Sequence, residues 1–422
     1  MDFALIGFGV SNRSVLRFII EKKLGNVFIS EKNALSDSDK KFFIENGVEF
    51  EEYGNTKKVL DAKLIIYSPS VRPDDPIVKD AVDEGRAIGE IEFAWRYVLD
   101  GSRIVAITGS NGKTTTVSLI DHILKTAHID HFTGGNIGTA ASDRRNENIS
   151  ILEISSFQLM GTKNFLPDIG AVLNISPNHL DWHLNLKEYV DAKMKLSGSK
   201  NFIYNSDSNL IPKVHGIKVS KSNGDVLVDE KGFKIGQTYF SIEGSKLFGI
   251  HNIYNAAFAA FTSKLLGIPD EKIIEGLKTF SPLEHRQEIF AVLDGITYVN
   301  DSKSTTSEST LKALDDFKGS IVIICGRPKE KDYSTLADGL RKKSKAVIIM
   351  GEIAPFIEPL IQDVKYSKVT SMKEAVFAAQ KEAKIGDVVL LSPAATSFDM
   401  FKDYQDRGKT FKRIVLDGNI NA

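Results

Sequence analysis

Residues 104–117, IVAITGSNGKTTTV, constrain this chain more than any other stretch. A β-branched apolar run, IVAI, breaks into the turn Gly109-Ser110-Asn111-Gly112. Lys113, the three threonines Thr114, Thr115 and Thr116, and the apolar-periodic VSLIDHIL follow. That order predicts a strand, a loop of exposed backbone N–H groups and a helix N-terminus, the arrangement that cradles phosphates. Lys113 then offers the outer phosphates a point charge, and the Thr114 hydroxyl suits the accompanying Mg²⁺. The longer G-x-x-x-x-G-K-[ST] pattern would place glycine at Ile107, so the flanking elements carry the assignment. The chain is expected to bind ATP or a similar nucleotide.

At 422 residues, the chain has length for about three domains. Lysine and arginine number 54 against 55 acidic residues, a net charge of −1. This balance gives no reason to expect nucleic acid or a membrane surface as partner. One cysteine, Cys325, excludes an intramolecular disulfide framework and any CxxC metal site. It follows the apolar run IVII and reads as a buried small hydrophobe. No apolar run approaches the length of a membrane helix, and Met1 leads straight into a strand. The expected location is the cytoplasm, and the expected state a monomer.

The opening, FALIGFGVSNRSVLRFIIEKKLGNVFISEK, reads as strand, glycine turn, amphipathic helix and strand. Gly7 and Gly9 match a dinucleotide fingerprint whose third glycine is replaced by Asn12. Glu31 ends the second strand where such folds place an acidic residue, or it is simply solvated. AKLIIYSPSV adds a strand, and the first domain is set at residues 1–92. From 93 to 282 the continuous apolar runs VAIT, SILEIS and IGAVLNIS predict a buried parallel sheet. Between about 199 and 250 the period drops towards 2, which predicts a β insertion or an extra sheet edge. A helix is expected from about Ile253, stopped by Gly267 and Pro269. Residues 283–422 alternate ITYVNDS, SIVIICG, AVIIMG and DVVLLS with helical patterns, a second doubly wound sheet.

Four clusters fall at predicted strand ends, where open α/β sheets bind ligands. LEISSFQL holds Glu153 beside a Ser155–Gln158 capping box. NISPNHLDWH holds His179 and Asp181, a metal or phosphate contact, with His183 expected to be solvated. YVDAKMKL holds Lys193, which on pattern alone reads as solvent-facing. NDSKSTT holds Asp301, Lys303 and Thr305, or else a strand-end turn with a helix cap.

Taken together, these clusters resemble the Mur ligases of bacterial cell-wall synthesis. The carriers are TGSNGKTT, GGNIG at 134–138, LEISSFQL, HLD at 179–181, and Ala192-Lys193. HNIYNAAFA at 251–259, EHRQE at 284–288, NDSKSTT and SPAATSFDMFKDYQDRGKTF at 392–411 complete them. The last resembles the D-glutamate-adding branch.

The resemblance implies three α/β domains: a Rossmann-like first domain for the UDP substrate, a P-loop ATPase-like centre and a Rossmann-like last domain. It implies that ATP phosphorylates the carboxylate of UDP-N-acetylmuramoyl-L-alanine and that D-glutamate attacks the acyl phosphate. Gly109 to Thr115 would hold ATP, with Asn255, Arg286 and Asp301 as further nucleotide contacts. Thr114, Glu153, His179 and a carbamylated Lys193 would hold Mg²⁺. Glu31, Ser70 and Asn136 would meet the UDP substrate. Lys303, Thr305, Lys329, Ser397, Phe398 and Tyr404 would meet the acyl phosphate and amino acid.

The chain departs from the family at RPKEKDY, where Lys329 is the nearest match to a lysine in a glycine-rich segment. It departs again at Ser70, where a glycine is common, and at Glu31, where aspartate is usual. Two alternatives stay open: a sister Mur or folylpolyglutamate-type ligase adding another amino acid, and an ATP-binding switch without ligase chemistry.

Overall fold

Three sheets carry the fold of this chain, seen in a computed structural model that describes residues 1–422 apart from 55, 178, 180–181, 248–249, 282–283 and 419–422. Asp181 therefore lies outside the described residues.

The first sheet contains β1 (Phe3–Ile6), β2 (Val27–Ser30), β3 (Glu49–Glu51), β4 (Leu64–Tyr67) and β5 (Ala87–Gly89). All pairs are parallel, in the order β3-β2-β1-β4-β5. The order reverses between β1 and β4, which opens a crevice at the carboxyl ends of those strands. There Gly7 has φ 77°, and a Cβ on it would come within 2.9 Å of Ser68 Cβ, so the turn admits no side chain. Asn12, in place of the third glycine, is buried and donates to Ile6 O at 3.0 Å and Gly7 O at 2.7 Å. It ties the turn down where glycine would only make room. The helix Val10–Lys22 presses Val15, Leu16 and Ile19 into the core, an apolar stripe at helical spacing.

The central sheet contains β6 (Arg103–Thr108), β7 (Phe132–Gly135), β8 (Ile149–Glu153), β9 (Ile169–Val172), β10 (Asn201–Asn205), β11 (Ile217–Ser220), β12 (Val226–Val228), β13 (Gly232–Ile235) and β14 (Thr238–Ser241). Its order is β14-β13-β12-β11-β10-β9-β6-β8-β7. The near-continuous apolar runs of β6, β8 and β9 are buried on both faces, as parallel central strands require. Only β12–β13 and β13–β14 pair antiparallel, which is the period-2 stretch extending the sheet edge. The helix Ile250–Leu265 begins three residues before the expected Ile253.

The last sheet contains β15 (Glu288–Leu293), β16 (Ile296–Asn300), β17 (Ser320–Cys325), β18 (Ser344–Met350), β19 (Tyr366–Lys368) and β20 (Val388–Ala394). Its order is β15-β16-β20-β17-β18-β19, with only β15 antiparallel to its neighbour. Cys325 is fully buried, and burial pushes its thiol up to about 11, as befits a small core residue.

These sheets form two compact units. One holds Met1–Glu243 and Asn252–Lys278, and the other Gly244–His251 and the chain from Thr279 onward. Inside the first unit the two sheets are stitched by Glu92, whose Oε2 accepts from the backbone N–H groups of Lys163, Asn164 and Phe165, each at 2.9 Å. Gly89 and Gly161 pack backbone to backbone nearby, Gly89 N donating to Gly161 O at 2.8 Å. Among the described residues no helix is long and apolar enough to cross a membrane.

Candidate active site

The phosphate loop leaves β6 and enters the helix Lys113–Thr126 through Gly112, whose φ is 78°. A Cβ at Gly112 would also collide with Asn255 Oδ1, so conformation and space both require glycine. Asn174, just past β9, grips the loop from the side: Asn111 N donates to its Oδ1 at 2.9 Å, and its Nδ2 donates to Asn111 O at 3.1 Å. Ser110 N donates to Asn174 O at 2.9 Å, and Ser110 Oγ lies 2.7 Å from the Tyr189 hydroxyl. Thr114 is buried at the first turn of the helix, and Thr115 is half-buried. Asn255 sits under the loop, accepting from Thr116 Oγ1 at 3.3 Å.

Two lysines converge on one carbonyl. Lys113 Nζ donates to Gly109 O at 2.8 Å, and Lys193 Nζ donates to the same oxygen at 3.0 Å. Lys193 lies in the last turn of the helix Leu186–Met194 and is 2% exposed, with Nζ 4.7 Å from the Tyr189 ring centre. The expectation of a solvent-facing lysine fails because Tyr189, four residues earlier on the same helix face, turns that face to the loop. Burial, with Lys113 close by, holds the Lys193 amine well below its ordinary value.

Glu153 ends β8 and is 3% exposed. β8 runs beside β6 in the register Ile107↔Glu153, which sets the carboxylate next to the start of the loop. Its Oε1 accepts from Asn136 Nδ2 at 2.8 Å, while its buried Oε2 has no hydrogen-bond partner among the described residues. Gly135, with φ 97°, lets β7 close on Glu153, because a Cβ there would strike the Glu153 carbonyl. Ser155 and Gln158 form the expected capping box on the helix Ser156–Met160.

His179 is exposed, has φ 56°, and sets its ring 4.9 Å from the Phe157 ring. His183 corrects the reading of a solvated residue: it is buried, stacked on Phe157 at 5.6 Å, with Nδ1 3.1 Å from Glu188 Oε2 and Nε2 3.0 Å from Ser156 Oγ. Burial holds its imidazole below the usual range. Its spacing from His179 carried no signal of burial, because the aromatic stack that encloses it comes from another helix.

An orphaned buried carboxylate oxygen beside a loop of N–H groups and a threonine hydroxyl suits a hard cation carrying phosphates. Among the described residues no three His, Cys, Asp or Glu side chains gather into a metal cage.

On the first sheet, Glu31 Oε2 accepts from Phe8 N at 2.6 Å, within the Gly7–Gly9 turn, and its Oε1 accepts from Asn33 N at 3.0 Å. Ser70 Oγ lies 3.0 Å from Ser68 Oγ, across from Gly7. Both residues thus line the β1/β4 switch point.

The second unit gathers its own set. Asp301 follows β16 and is buried, with Oδ1 accepting from Gln287 N at 3.2 Å and Oδ2 from Ser392 Oγ at 2.8 Å. Burial pushes its carboxyl up to about 7. Lys303 is exposed, its ammonium 4.0 Å above the Tyr404 ring, and Thr305 is half-buried. Ser397 is buried and Phe398 is 63% exposed. Arg286 and Lys329 are exposed, and Lys329 N donates to the Tyr333 hydroxyl at 3.1 Å.

The residue that brings this set together, Arg407, had no assigned role in the sequence reading. Fully buried, it donates Nε to Ser302 Oγ at 3.0 Å, Nη2 to Ser302 O at 2.8 Å, and Nη1 to Cys325 O and Ala395 O at 3.2 and 3.1 Å. The following Gly408 leaves space filled by His285 and Asn300. The R-G pair was visible in the sequence, but its acceptors, Ser302, Cys325 and Ala395, lie just past β16, at the end of β17 and just past β20.

Residues 2–77 match the MurD N-terminal domain, 107–263 the Mur ligase middle domain, and 285–395 the Mur ligase glutamate ligase domain. Curated relatives include UDP-N-acetylmuramoylalanine–D-glutamate ligases from Thermosipho melanesiensis, 38% identical over 99% of this chain and 98% of that one, and from Fervidobacterium nodosum, 36% identical over 98% and 99%. The chain belongs to the Mur ligase family. The UDP-N-acetylmuramate-alanine ligase of Thermotoga maritima shares the fold at TM-score 0.62 and 17% identity, covering 99% of this chain and all of that one. A pseudomurein peptide ligase type C from Methanothermus fervidus does so at TM-score 0.60 and 19% identity, again over 99% and all of that chain. The three matched segments fall on the first, central and last sheets, so the three-part α/β architecture is that of a Mur ligase.

Proposed function

We propose that this chain is an ATP-dependent ligase that joins D-glutamate to UDP-N-acetylmuramoyl-L-alanine in the synthesis of peptidoglycan precursors. The observation that carries the chemistry is the convergence of Lys113 and buried Lys193 on the Gly109 carbonyl, beside a loop of N–H groups and the Glu153 oxygen that has no partner among the described residues. The choice of D-glutamate is supported by the names of relatives matched over nearly the whole chain.

In this reading Gly109 to Thr115 and Lys113 bind the phosphates, and Asn255, Arg286 and Asp301 make the remaining nucleotide contacts. Thr114, Glu153, His179 and Lys193 hold Mg²⁺, which neutralises phosphate charge when bound. An ammonium at Lys193 would repel that cation. Burial instead favours the neutral amine, whose lone pair can add CO₂; loss of one proton leaves an anionic carbamate. Glu31, Ser70 and Asn136 position the UDP substrate so that its carboxylate meets the outer phosphate of ATP. The carboxylate oxygen displaces ADP, and the D-glutamate amine then displaces phosphate from the acyl carbon, losing a proton as the amide forms. The protein's contribution is chiefly orientation and charge neutralisation.

Lys303 and Lys329 offer cations to the two carboxylates of D-glutamate, and Thr305, Ser397, Phe398 and Tyr404 shape its pocket. The domain limits 1–92, 93–282 and 283–422, a monomeric state and a cytoplasmic location belong to the same reading. The first limit is supported by β5 ending at Gly89, and the last by β15 beginning at Glu288.

Phosphate release from ATP, measured with UDP-N-acetylmuramoyl-L-alanine and a panel of D-glutamate, L-glutamate, L-lysine and meso-diaminopimelate, tests the proposal. Release should require both the UDP sugar and D-glutamate. A site built to pair a side-chain carboxylate should reject analogues lacking it, by about 10⁴-fold. Preference for another amino acid would establish a sister ligase, and release indifferent to any amino acid would establish the nucleotide switch.

A further inference from the structure

Arg72 lies two residues beyond Ser70 in the first-sheet loop SPSVRP, yet its guanidinium works on the central sheet's side of the same compact unit. Nε and Nη2 donate to Asp74 at 2.7 and 3.0 Å, within its own loop. Nη2 and Nη1 also donate to Glu188 Oε1 and Oε2, at 3.0 and 3.4 Å. Nη1 further donates to the Trp182 carbonyl, and the guanidinium carbon lies 5.0 Å from the Trp182 ring centre. Arginine suits this task because its planar fork can hold several acceptors at once.

Glu188 passes the connection on. Its Oε2 accepts from Leu184 N at 2.9 Å and meets His183 Nδ1 at 3.1 Å. Since Nδ1 faces a carboxylate it carries the proton, so Nε2 accepts from the Ser156 hydroxyl at 3.0 Å. Ser156 stands three residues past Glu153. Glu188 also opens the helix Leu186–Met194, which it enters through the Asn185 cap. The next residue, Tyr189, holds Ser110 of the phosphate loop, and Lys193 holds Gly109. Any shift of this helix therefore moves both groups against the loop.

We propose that Arg72 is a positioning residue: through Glu188 it sets where the helix Leu186–Met194 holds Tyr189 and Lys193 against the phosphate loop, and it couples that setting to the first-sheet loop carrying Ser70. The proposal rests on the ligase reading for the site's chemistry. A simple stabilising ion pair would make no distinction between binding and turnover. Positioning makes one, because a small displacement of reacting groups costs turnover far more than it costs binding.

The test compares the full-length enzyme with Arg72→Ala, Glu188→Gln and the double variant. The readouts are kcat at saturating ATP, D-glutamate and UDP-N-acetylmuramoyl-L-alanine, and the Kd of the UDP sugar by calorimetry. Arg72→Ala should lower kcat on the order of 10–100-fold and leave Kd within about twofold. The double variant should be no slower than the slower single variant, because both changes break one connection. An unchanged kcat, a loss confined to Kd or thermal stability, or multiplying single effects would overturn the proposal. If the unaltered enzyme turns over no D-glutamate, the ligase reading fails separately. Hydrogen exchange then decides: Arg72→Ala should speed exchange across 182–194 while leaving β6 unchanged, and identical exchange there would overturn the coupling.

Discussion

Lys193 in the first unit and Asp301 in the second are both buried ionisable side chains that their surroundings drive towards neutrality, and the two are equipped very differently. Among the described residues Lys193, beside the phosphate loop, reaches the Thr108 hydroxyl, the Gly109 carbonyl and the Tyr189 ring. Asp301, at the end of β16, receives Gln287 N–H and the Ser392 hydroxyl, so donors are already aimed at its anionic form. Burial pushes the lysine down and the aspartate up to about 7. No hydrogen bond joins the lysine to a carboxylate among the described residues, and the proposed function draws on its lone pair. The aspartate is held ready as an acceptor. On the proposed carbamate, the first site would acquire its charge by a covalent step, whereas the second keeps donors aimed at a carboxyl that burial holds back from ionising.

The largest test of this contrast is Lys193→Ala, which should lower turnover by about 10²–10³-fold, with small carboxylic acids restoring part of it by returning an anion to the cavity. Lys193→Arg should stay at the depressed level, since guanidinium takes no CO₂ and brings positive charge to the metal. An active arginine variant would make Lys193 structural. Next comes Glu153→Gln, which keeps the shape and removes the charge. Titrating Mg²⁺ against phosphate release should show a requirement raised by about 10–100-fold; an unmoved titration would take Glu153 out of the metal site.

Lys303→Ala should raise the KM for D-glutamate about 10–100-fold, as expected for the loss of a charge-assisted hydrogen bond. Lys329→Ala should raise it less, because its segment departs from the family; the reverse order would exchange their roles. The smallest effect concerns Asp301. Its folded value lies above its ordinary 3.8, so the stability linked to its proton is fully present below pH 3.8 and is lost as pH rises towards about 7. Asp301→Asn should therefore gain on the unaltered protein between pH 5 and pH 8, by about 2–4 °C in thermal midpoint. A gap that stays constant with pH would show that the buried acid carries no such cost.

The phosphate loop was legible because its information is local: glycine geometry, a helix start and a lysine share nine residues. The β insertion was legible too, since alternation in 217–241 needs no distant partner to be recognised. Strands β3, β5 and β7 went unread, being short edge strands with little apolar pattern. The burial of His183, Lys193 and Arg407 went unread for a different reason. Each is polar in sequence and becomes interior only when carbonyls and aromatic rings from other elements close around it. The family resemblance named Lys193 as functional, yet the physical reason lies in contacts separated by 84 and 85 residues.

The strand order of the last sheet also governs when this chain can finish folding. β20, residues Val388–Ala394, lies between β16 and β17 and pairs with both, so the middle of the sheet is the last strand made. The first sheet, by contrast, has all its strands by Gly89. A growing chain can thus close its opening sheet early, while the β16 and β17 edges that face each other wait until Val388–Ala394 has been made. Arg407 extends the wait, because its guanidinium joins the ends of β17 and β20 only after both exist. Termination after Cys325 but before Val388 leaves two apolar strands able to pair with another chain, so the usual fate of such fragments should be aggregation or degradation.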